Sequence, residues 1–251
     1  WTTTTLKTDD TGLRAPPPPS SARADHTAQD ARPVLLDLPP RFMWGWTPAY
    51  ASGYCGSVSV QTAAIYFGNY LTEDAIRGTS GGHDADHSLV IVYKKDEDCK
   101  DGASYADCQY PMSKTCKKLK LNCSMWNYDR EKPPQHKGFL RWAKRHIDHA
   151  EPVIMGVYWA SESDPDYDHI VPMVGYETGA GDDVSAVYFN DLYSNTTTRA
   201  ETHSFVKSRA ACSEDAYARS SQDGGLAPFC LPKKYDYGIA VRGNEDRDGV
   251  L

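Results

Sequence analysis

The cysteines of this chain constrain its fold more than any other feature. There are seven of them in 251 residues, and an odd number cannot all pair with one another. Six lie in irregular sequence, which is typical of disulfide-stapled regions in proteins of oxidising compartments. We therefore predict that these six form three disulfides and that Cys55, which lies in helix-forming sequence, stays outside them as a reactive thiol. The six are Cys99, Cys108, Cys116, Cys123, Cys212 and Cys230.

Metal binding is the alternative for these cysteines. The four between Cys99 and Cys123 are separated by eight, seven and six residues, and this spacing lacks the Cys-x-x-Cys pair of common zinc sites. The run from His83 to His87 clusters two imidazoles with two carboxylates, but it follows two glycines, and a solvated loop is the favoured interpretation. We expect neither a metal nor a cofactor.

Charge and sequons indicate the compartment and the partners. Two Asn-x-Ser/Thr sequons, at Asn122 and Asn195, agree with passage through a secretory compartment. The formal net charge of −7 disfavours a nucleic-acid or anionic-membrane surface. The longest apolar run, at 153–160, has the length of a strand and is too short to span a membrane. We predict a secreted or lumenal glycoprotein with no membrane span and no nucleic-acid partner.

Composition divides the chain into an arm and one domain. Residues 1–33 are rich in threonine, alanine and proline, and the four-proline run 16–19 must be extended polyproline II. Two interpretations stay open for this arm: a surface-draped segment, or a propeptide remnant across an active-site groove. Residues 34–251 are long enough for a catalytic domain with a real core, in which 94–137 forms a cysteine-rich insertion stabilised by its cross-links.

Cys55 stands at the entry to a predicted buried helix. Gly53 and Gly56 flank it, and the apolar stretch that follows runs to Gly68, a residue suited to a helix C-cap. In the first turn, unpaired backbone N–H groups and the positive end of the helix dipole favour thiolate over thiol. A thiolate attacks carbonyl carbons, so this position suits a nucleophile.

Two downstream segments supply partners for such a nucleophile. His169 begins the apolar run 169–176, and Asn190 and Asp191 end the run that includes Val187. Each run is a strand candidate with a polar group at one end. The order Cys, His, Asn/Asp suits a nucleophile, a base and a residue that orients the base.

Periodicity predicts further elements around these segments. An amphipathic helix is expected at 141–150, and a short helix N-capped by Thr72 is expected within 71–77. Strands are expected at 152–160 and 235–241. Together with the runs that carry the histidine and the Asn-Asp pair, these elements predict an α+β domain.

The same segments resemble the papain-like cysteine peptidases, and most closely the C39-like branch. Members of that branch carry a Tyr-Cys-Gly helix start, here 54–56, a His-to-Val-Gly-Tyr strand, here 169–176, and an Asn-Asp strand end, here 190–191. A helix and a Pro-Val-Ile strand before the histidine also match. The resemblance covers about 45–70 and 138–192. It implies the papain-like α+β fold, in which a central helix carrying the cysteine packs on an antiparallel sheet, here with disulfide-stapled insertions.

Carried over residue by residue, the resemblance implies a catalytic triad. Cys55 is the implied nucleophile, His169 the base and Asp191 the orienter, with Asn190 as the alternative third member. In strands, neighbouring side chains point to opposite faces, so only one of the last two can meet the histidine.

One position departs from the family pattern. Members usually have a glutamine about half a dozen residues before the cysteine, and its amide helps to form the oxyanion hole. Ala49 stands there in this chain, and Tyr50 and Ser52 are the nearby candidate donors. Loss of one oxyanion donor typically costs ~10²–10³ in rate.

These residues predict a secreted cysteine hydrolase. It would cleave a peptide or isopeptide bond of a peptide or protein substrate through a Cys-His-Asp triad and a thioester intermediate. Two alternatives stay open. An acyltransferase or transpeptidase would use the same site with an amine in place of water. A non-catalytic binding protein on an inactive peptidase scaffold would fit Ala49 and the long insertion.

Overall fold

An antiparallel sheet forms the core of the protein in the computed structural model. The residues that the structure describes all belong to one compact unit, Ala31–Leu251. They are 33–41, 43, 54–79, 115–126, 132–159, 167–179, 181, 183–193, 196–202, 205, 211–212, 229–234 and 236–245.

Eight strands occur in this described part of the chain. Their bounds are β1 Val34–Leu35, β2 Leu121–Met125, β3 Val153–Trp159, β4 Tyr167–Thr178, β5 Val184–Asn190, β6 Thr197–Glu201, β7 Phe229–Cys230 and β8 Gly238–Asn244. The strand order is β2-β8-β3-β4-β5-β6, while β1 pairs with β4 and β7 with β3. All of these pairings are antiparallel. The predicted α+β class with an antiparallel sheet is therefore confirmed.

Three helices with both ends among the described residues cover both faces of the sheet, and residues 115–118 are helical as well. α1 spans Cys55–Tyr66, α2 spans Glu73–Thr79 and α3 spans His136–Asp148. Successive side chains of β3 point to opposite faces of the sheet. Ile154 shares a buried apolar cluster with α1, whereas Val153 and Met155 share one with α3.

The helices follow their sequence signals at their ends. α1 is apolar on nearly all sides, as expected of a buried helix, and it ends before Gly68, whose positive φ of 74° glycine adopts without strain. Thr72 caps α2, because its Oγ1 accepts the Ala75 N–H at 3.1 Å. α3 begins five residues before its predicted start, at His136, which directly follows the buried N-cap residue Gln135.

Four strands, β1, β2, β6 and β7, have no counterpart among the predicted elements. β2 lies inside the stretch 94–137, which was predicted as an irregular insertion, yet its apolar residues alternate with polar ones and it pairs with β8 over five residues. β6 pairs with β5 at an edge of the described sheet path, and its composition is polar, so a hydrophobic pattern did not mark it. β1 and β7 have only two residues each. The sequon residue Asn122 is exposed on β2, while Asn195 lies outside the described residues.

Two of the predicted disulfides are present. Cys116 bonds to Cys123 with a Cα–Cα distance of 6.3 Å, and Cys212 bonds to Cys230 with 5.7 Å. The first joins the helical stretch 115–118 to β2, and the second joins 211–212 to β7. Cys99 and Cys108 lie outside the described residues. Two disulfides fit an oxidising compartment.

Candidate functional site

Cys55 is the first residue of α1, as predicted. It is in no disulfide and is fully buried. Tyr54 is the N-cap residue and makes no side-chain capping bond, and the first turn carries no acidic residue. The backbone N–H groups of this turn and the helix dipole therefore act on the sulfur without a competing local carboxylate.

The surroundings of Cys55 come from distant parts of the chain. Its apolar cluster includes Ile170 of β4 and Leu192, which follows β5 by two residues. Ser59, one turn along α1, donates from Oγ to the Ile170 carbonyl oxygen at 3.2 Å. The immediate chain neighbours of His169 and Asp191 thus pack around α1.

His169 lies in β4 and is also fully buried. Its ring stacks on Tyr193 and Phe229, with centroid distances of 4.7 and 5.9 Å. Its Nε2 lies 2.6 Å from the backbone carbonyl oxygen of Asp191. A carbonyl oxygen only accepts, so Nε2 carries the proton, and in the neutral ring Nδ1 has the lone pair that can take up a further proton.

Burial keeps this imidazole neutral. Removal from water lowers the pKa of His169 to about 4, although the hydrogen bond to the Asp191 carbonyl and the charge of Asp191 act in the opposite direction. At neutral pH the ring is therefore a neutral base of fixed tautomer. It becomes an imidazolium only where a new negative charge offsets the cost of burial.

Asp191 contacts His169 through its backbone carbonyl, and its carboxylate accepts hydrogen bonds from two other residues. Oδ1 accepts the Tyr193 N–H at 2.9 Å, and Oδ2 accepts the Thr198 hydroxyl at 3.0 Å. The carboxylate thereby braces the turn that presents the carbonyl to His169. Asn190 is fully buried, and its Oδ1 accepts the Thr197 hydroxyl at 3.2 Å.

The strand pattern gives His169 and Ile170 different faces of the sheet. His169 is paired with Val157, whose side chain belongs to the cluster of α3, whereas Ile170 belongs to the cluster of Cys55. Tyr193 connects the two environments, because it packs against the cluster of Cys55 and stacks on His169. His169 and Asp191 therefore meet through a hydrogen bond, and Tyr193 links the surroundings of His169 to the cluster that holds Cys55. Neither Tyr193 nor Phe229 was assigned a role from the sequence.

Other predicted features fall outside the described residues or find no counterpart there. Tyr50 and Ser52, the candidate oxyanion donors, and the segment His83–His87 lie outside. Among the residues that the structure describes, no group of three or more histidine, cysteine, aspartate or glutamate side chains could hold a metal. No helix in that part of the chain has the length and apolarity needed to cross a membrane.

A buried arginine against Tyr54 was not anticipated. Arg77 of α2 is 1% exposed, and its guanidinium carbon lies 3.9 Å from the centroid of the Tyr54 ring. The sequence predicted a short helix at this position, and the pattern of so short a segment did not indicate that Arg77 would be buried where α2 packs against α1.

Comparison of the sequence with protein-family models and with curated proteins finds no match.

Proposed function

We propose that this chain has a papain-like fold and acts as a secreted cysteine hydrolase on peptide or isopeptide bonds. The observation that carries the proposal is convergence. Cys55 begins a buried helix, and the chain neighbours of His169 and Asp191 pack around that helix. Cys55 is more than a hundred residues from His169 and Asp191 in sequence, and the three residues offer a thiol, a base and an orienting group for the proposed reaction.

The proposed reaction begins at the sulfur. Cys55 Sγ attacks the carbonyl carbon while Nδ1 of His169 takes the thiol proton, and the C–N bond breaks as that proton passes to the leaving amine. The product is a thioester on Cys55. Water, deprotonated by the same nitrogen, then attacks the thioester carbonyl. The C–S bond breaks, the carboxylic acid is released, and the proton returns to the Cys55 sulfur. The Cys55 backbone N–H stabilises the oxyanion in both steps.

The orienting role falls to a backbone group in this proposal. The Asp191 carbonyl holds the Nε2 proton of His169, so Nδ1 is the nitrogen that serves as base. A carbonyl carries no full charge and stabilises the transient imidazolium less than a carboxylate would. The negative charge of the Asp191 carboxylate, which Tyr193 and Thr198 hold in place, adds to the stabilisation of the imidazolium without contacting the ring.

Burial of the site favours a second candidate, a non-catalytic protein on a peptidase-like scaffold. Cys55 and His169 are both fully buried, and the His169 ring turns toward the face of α3. A cysteine in apolar surroundings has a raised thiol pKa and is inert. Catalysis therefore requires that the site open to admit a substrate carbonyl.

Turnover of a fluorogenic peptide library tests the hydrolase. We expect cleavage by the wild-type chain that Cys55→Ala abolishes, since no other group supplies the nucleophile. Addition of a primary amine separates the acceptors, because an acyltransferase forms amide products and a hydrolase forms acids. Equal cleavage by wild type and Cys55→Ala, or none by either together with an inert thiol, would support the non-catalytic protein.

A further inference from the structure

Arg77 is among the largest side chains that the described fold buries completely. Arginine is rarely buried without compensation, because its charge must be stabilised away from water. Ion pairs in such places add little net stability compared with apolar residues of similar size. A role beyond stability is therefore worth seeking, and the position of this guanidinium indicates one.

The guanidinium lies on the face of the Tyr54 ring, at 3.9 Å from its centroid. This is the geometry of a desolvated cation–π contact. Tyr54 directly precedes Cys55, and its carbonyl oxygen accepts the Val58 N–H at 2.9 Å in the first turn of α1. The contact thus joins α2 to the residue from which the nucleophile's helix begins.

Other titratable groups surround this contact on neighbouring elements. From α2, Glu73 lies one turn before Arg77, and its half-buried carboxyl has a pKa raised to about 7, mainly by desolvation. His169 of β4 is held neutral by burial, and Asp191 binds within its own turn. The charge of Arg41 also acts on Glu73, whereas Arg77 is the cation in contact with Tyr54, the residue before α1.

Resting on the proposed function, we propose that Arg77 is a positioning residue for the Cys55 thiolate. Its guanidinium holds Tyr54 and the first turn of α1 in place, and its positive charge favours the thiolate over the thiol. In low-dielectric surroundings a fixed cation adds to the effect of the helix dipole on the same sulfur. α2 would then be part of the catalytic apparatus although it supplies no group that touches substrate.

The thiol pKa measures this role directly. Thiolate ultraviolet absorbance is followed against pH, with Cys55→Ser as the blank, so that the buried sulfur need not meet a reagent. Because a fixed positive charge lowers the pKa of a neighbouring acid, we expect Arg77→Gln to raise the thiol pKa by roughly 0.5–1 unit. Arg77→Lys keeps the charge and should recover at least half of that shift.

Two further variants complete the test. Arg242→Gln removes an exposed guanidinium of β8 that pairs with Glu151, and it should leave the thiol pKa unchanged. Tyr54→Leu removes the ring under Arg77 and should raise the pKa; it carries the test if Arg77→Gln does not fold. A folded Arg77→Gln with the wild-type profile would overturn the inference, and so would a shift that Arg77→Lys fails to reduce.

The two proposals fail in distinguishable ways. A low wild-type thiol pKa that rises in His169→Ala but not in Arg77→Gln removes the role of Arg77 alone. A wild-type thiol with an ordinary or raised pKa that neither change alters removes the hydrolase as well.

Discussion

At the scale of single residues, the hydrogen bond from His169 Nε2 to the Asp191 carbonyl separates two roles that a triad usually combines in one side chain. The backbone oxygen fixes the tautomer of the ring. The carboxylate holds the turn that places this oxygen, through Tyr193 N–H and the Thr198 hydroxyl. From the sequence, the Asp191 side chain was predicted to orient His169, because a motif identifies a residue and not the atom that makes the contact.

Asp191→Asn should therefore leave the site largely intact. The amide keeps an oxygen for one of the two turn bonds, and the backbone carbonyl is unchanged. We expect Cys55 alkylation at neutral pH to slow by less than about tenfold, whereas loss of a tautomer-fixing carboxylate costs far more, ~10⁴ in the serine-protease example. A loss of ~10² or more in folded protein would show that the carboxylate itself acts on the ring.

Asn190→Ala is the matched variant for this measurement. Asn190 accepts the Thr197 hydroxyl at the end of β5, so its removal should lower stability by about 1 kcal/mol. The pH profile of Cys55 alkylation should not move. If only this variant impairs the thiol, Asn190 and not Asp191 is the third member.

At the scale of elements, sequence periodicity predicted the buried helices and the central strands and missed the strands at the edges of the sheet. α1, β3, β4, β5 and β8 carry apolar patterns that burial requires, and they occur near their predicted positions. β6 is held by backbone pairing with β5, which leaves little trace in a polar sequence, and the short alternating pattern of β2 lies in the cysteine-rich stretch that was interpreted as irregular. The burial of Arg77 likewise depends on which helix packs beside it, and local pattern does not encode that.

Gly175 illustrates a motif residue whose role is structural. In β4 it pairs with Leu35 of β1, and a Cβ at this position would overlap the Val34 carbonyl oxygen. Gly175→Ala should displace β1 and lower the free energy of unfolding by about 1–3 kcal/mol in urea titrations. Gly78→Ala is the control, since open space surrounds Gly78 in α2 and the change should be neutral or stabilising. Equal stability of the two variants would contradict the close approach of β1.

The entry to α3 predicts a pH dependence of stability. Gln135 Oε1 accepts both the Trp126 indole N–H and the Asp236 backbone N–H, and the Asp236 carboxyl is buried there. Desolvation raises the pKa of Asp236 from 3.8 to about 8. Between these values the unfolded chain loses the proton and the folded chain keeps it. Asp236 therefore makes stability fall as pH rises, by at most about 1.4 kcal/mol per unit.

Asp236→Asn should remove that dependence. The amide cannot ionise, so the variant should gain stability over wild type as pH rises from about 4 to 8. Urea unfolding at several pH values in this window measures the difference. A constant difference across the window would mean that Asp236 does not titrate as its burial requires.

At the scale of the whole molecule, the described residues hold two disulfides together with one cysteine, Cys55, that is in no disulfide. Cys116–Cys123 and Cys212–Cys230 account for four of the six predicted partners. Maleimide labelling of the denatured, unreduced chain should therefore add one label, on Cys55. Three labels would show that Cys99 and Cys108 are not paired, and a label count of zero would place Cys55 in a disulfide and remove the nucleophile.

Burial gives the proposed pairing of thiol and imidazole a measurable signature. Burial lowers the pKa of His169 to about 4, so a protonated ring at neutral pH requires a negative charge beside it. Burial also disfavours a thiolate at Cys55. In the proposed pair each ion stabilises the other, and a low thiol pKa that depends on His169 would be the signature of the pair.

The most direct test compares the pH profile of Cys55 alkylation in wild type and His169→Ala. Iodoacetamide is small enough to report on a site that opens transiently, and circular dichroism checks the fold. His149→Ala is the control, because His149 is exposed at the end of α3 and bonds only to the Arg145 carbonyl among described contacts. We predict a wild-type inflection clearly below the ordinary thiol pKa of ~8.5, kept in His149→Ala and moved to higher pH in His169→Ala. Coincident profiles for all three proteins would show that Cys55 and His169 are not a catalytic pair, and the non-catalytic protein would replace the hydrolase.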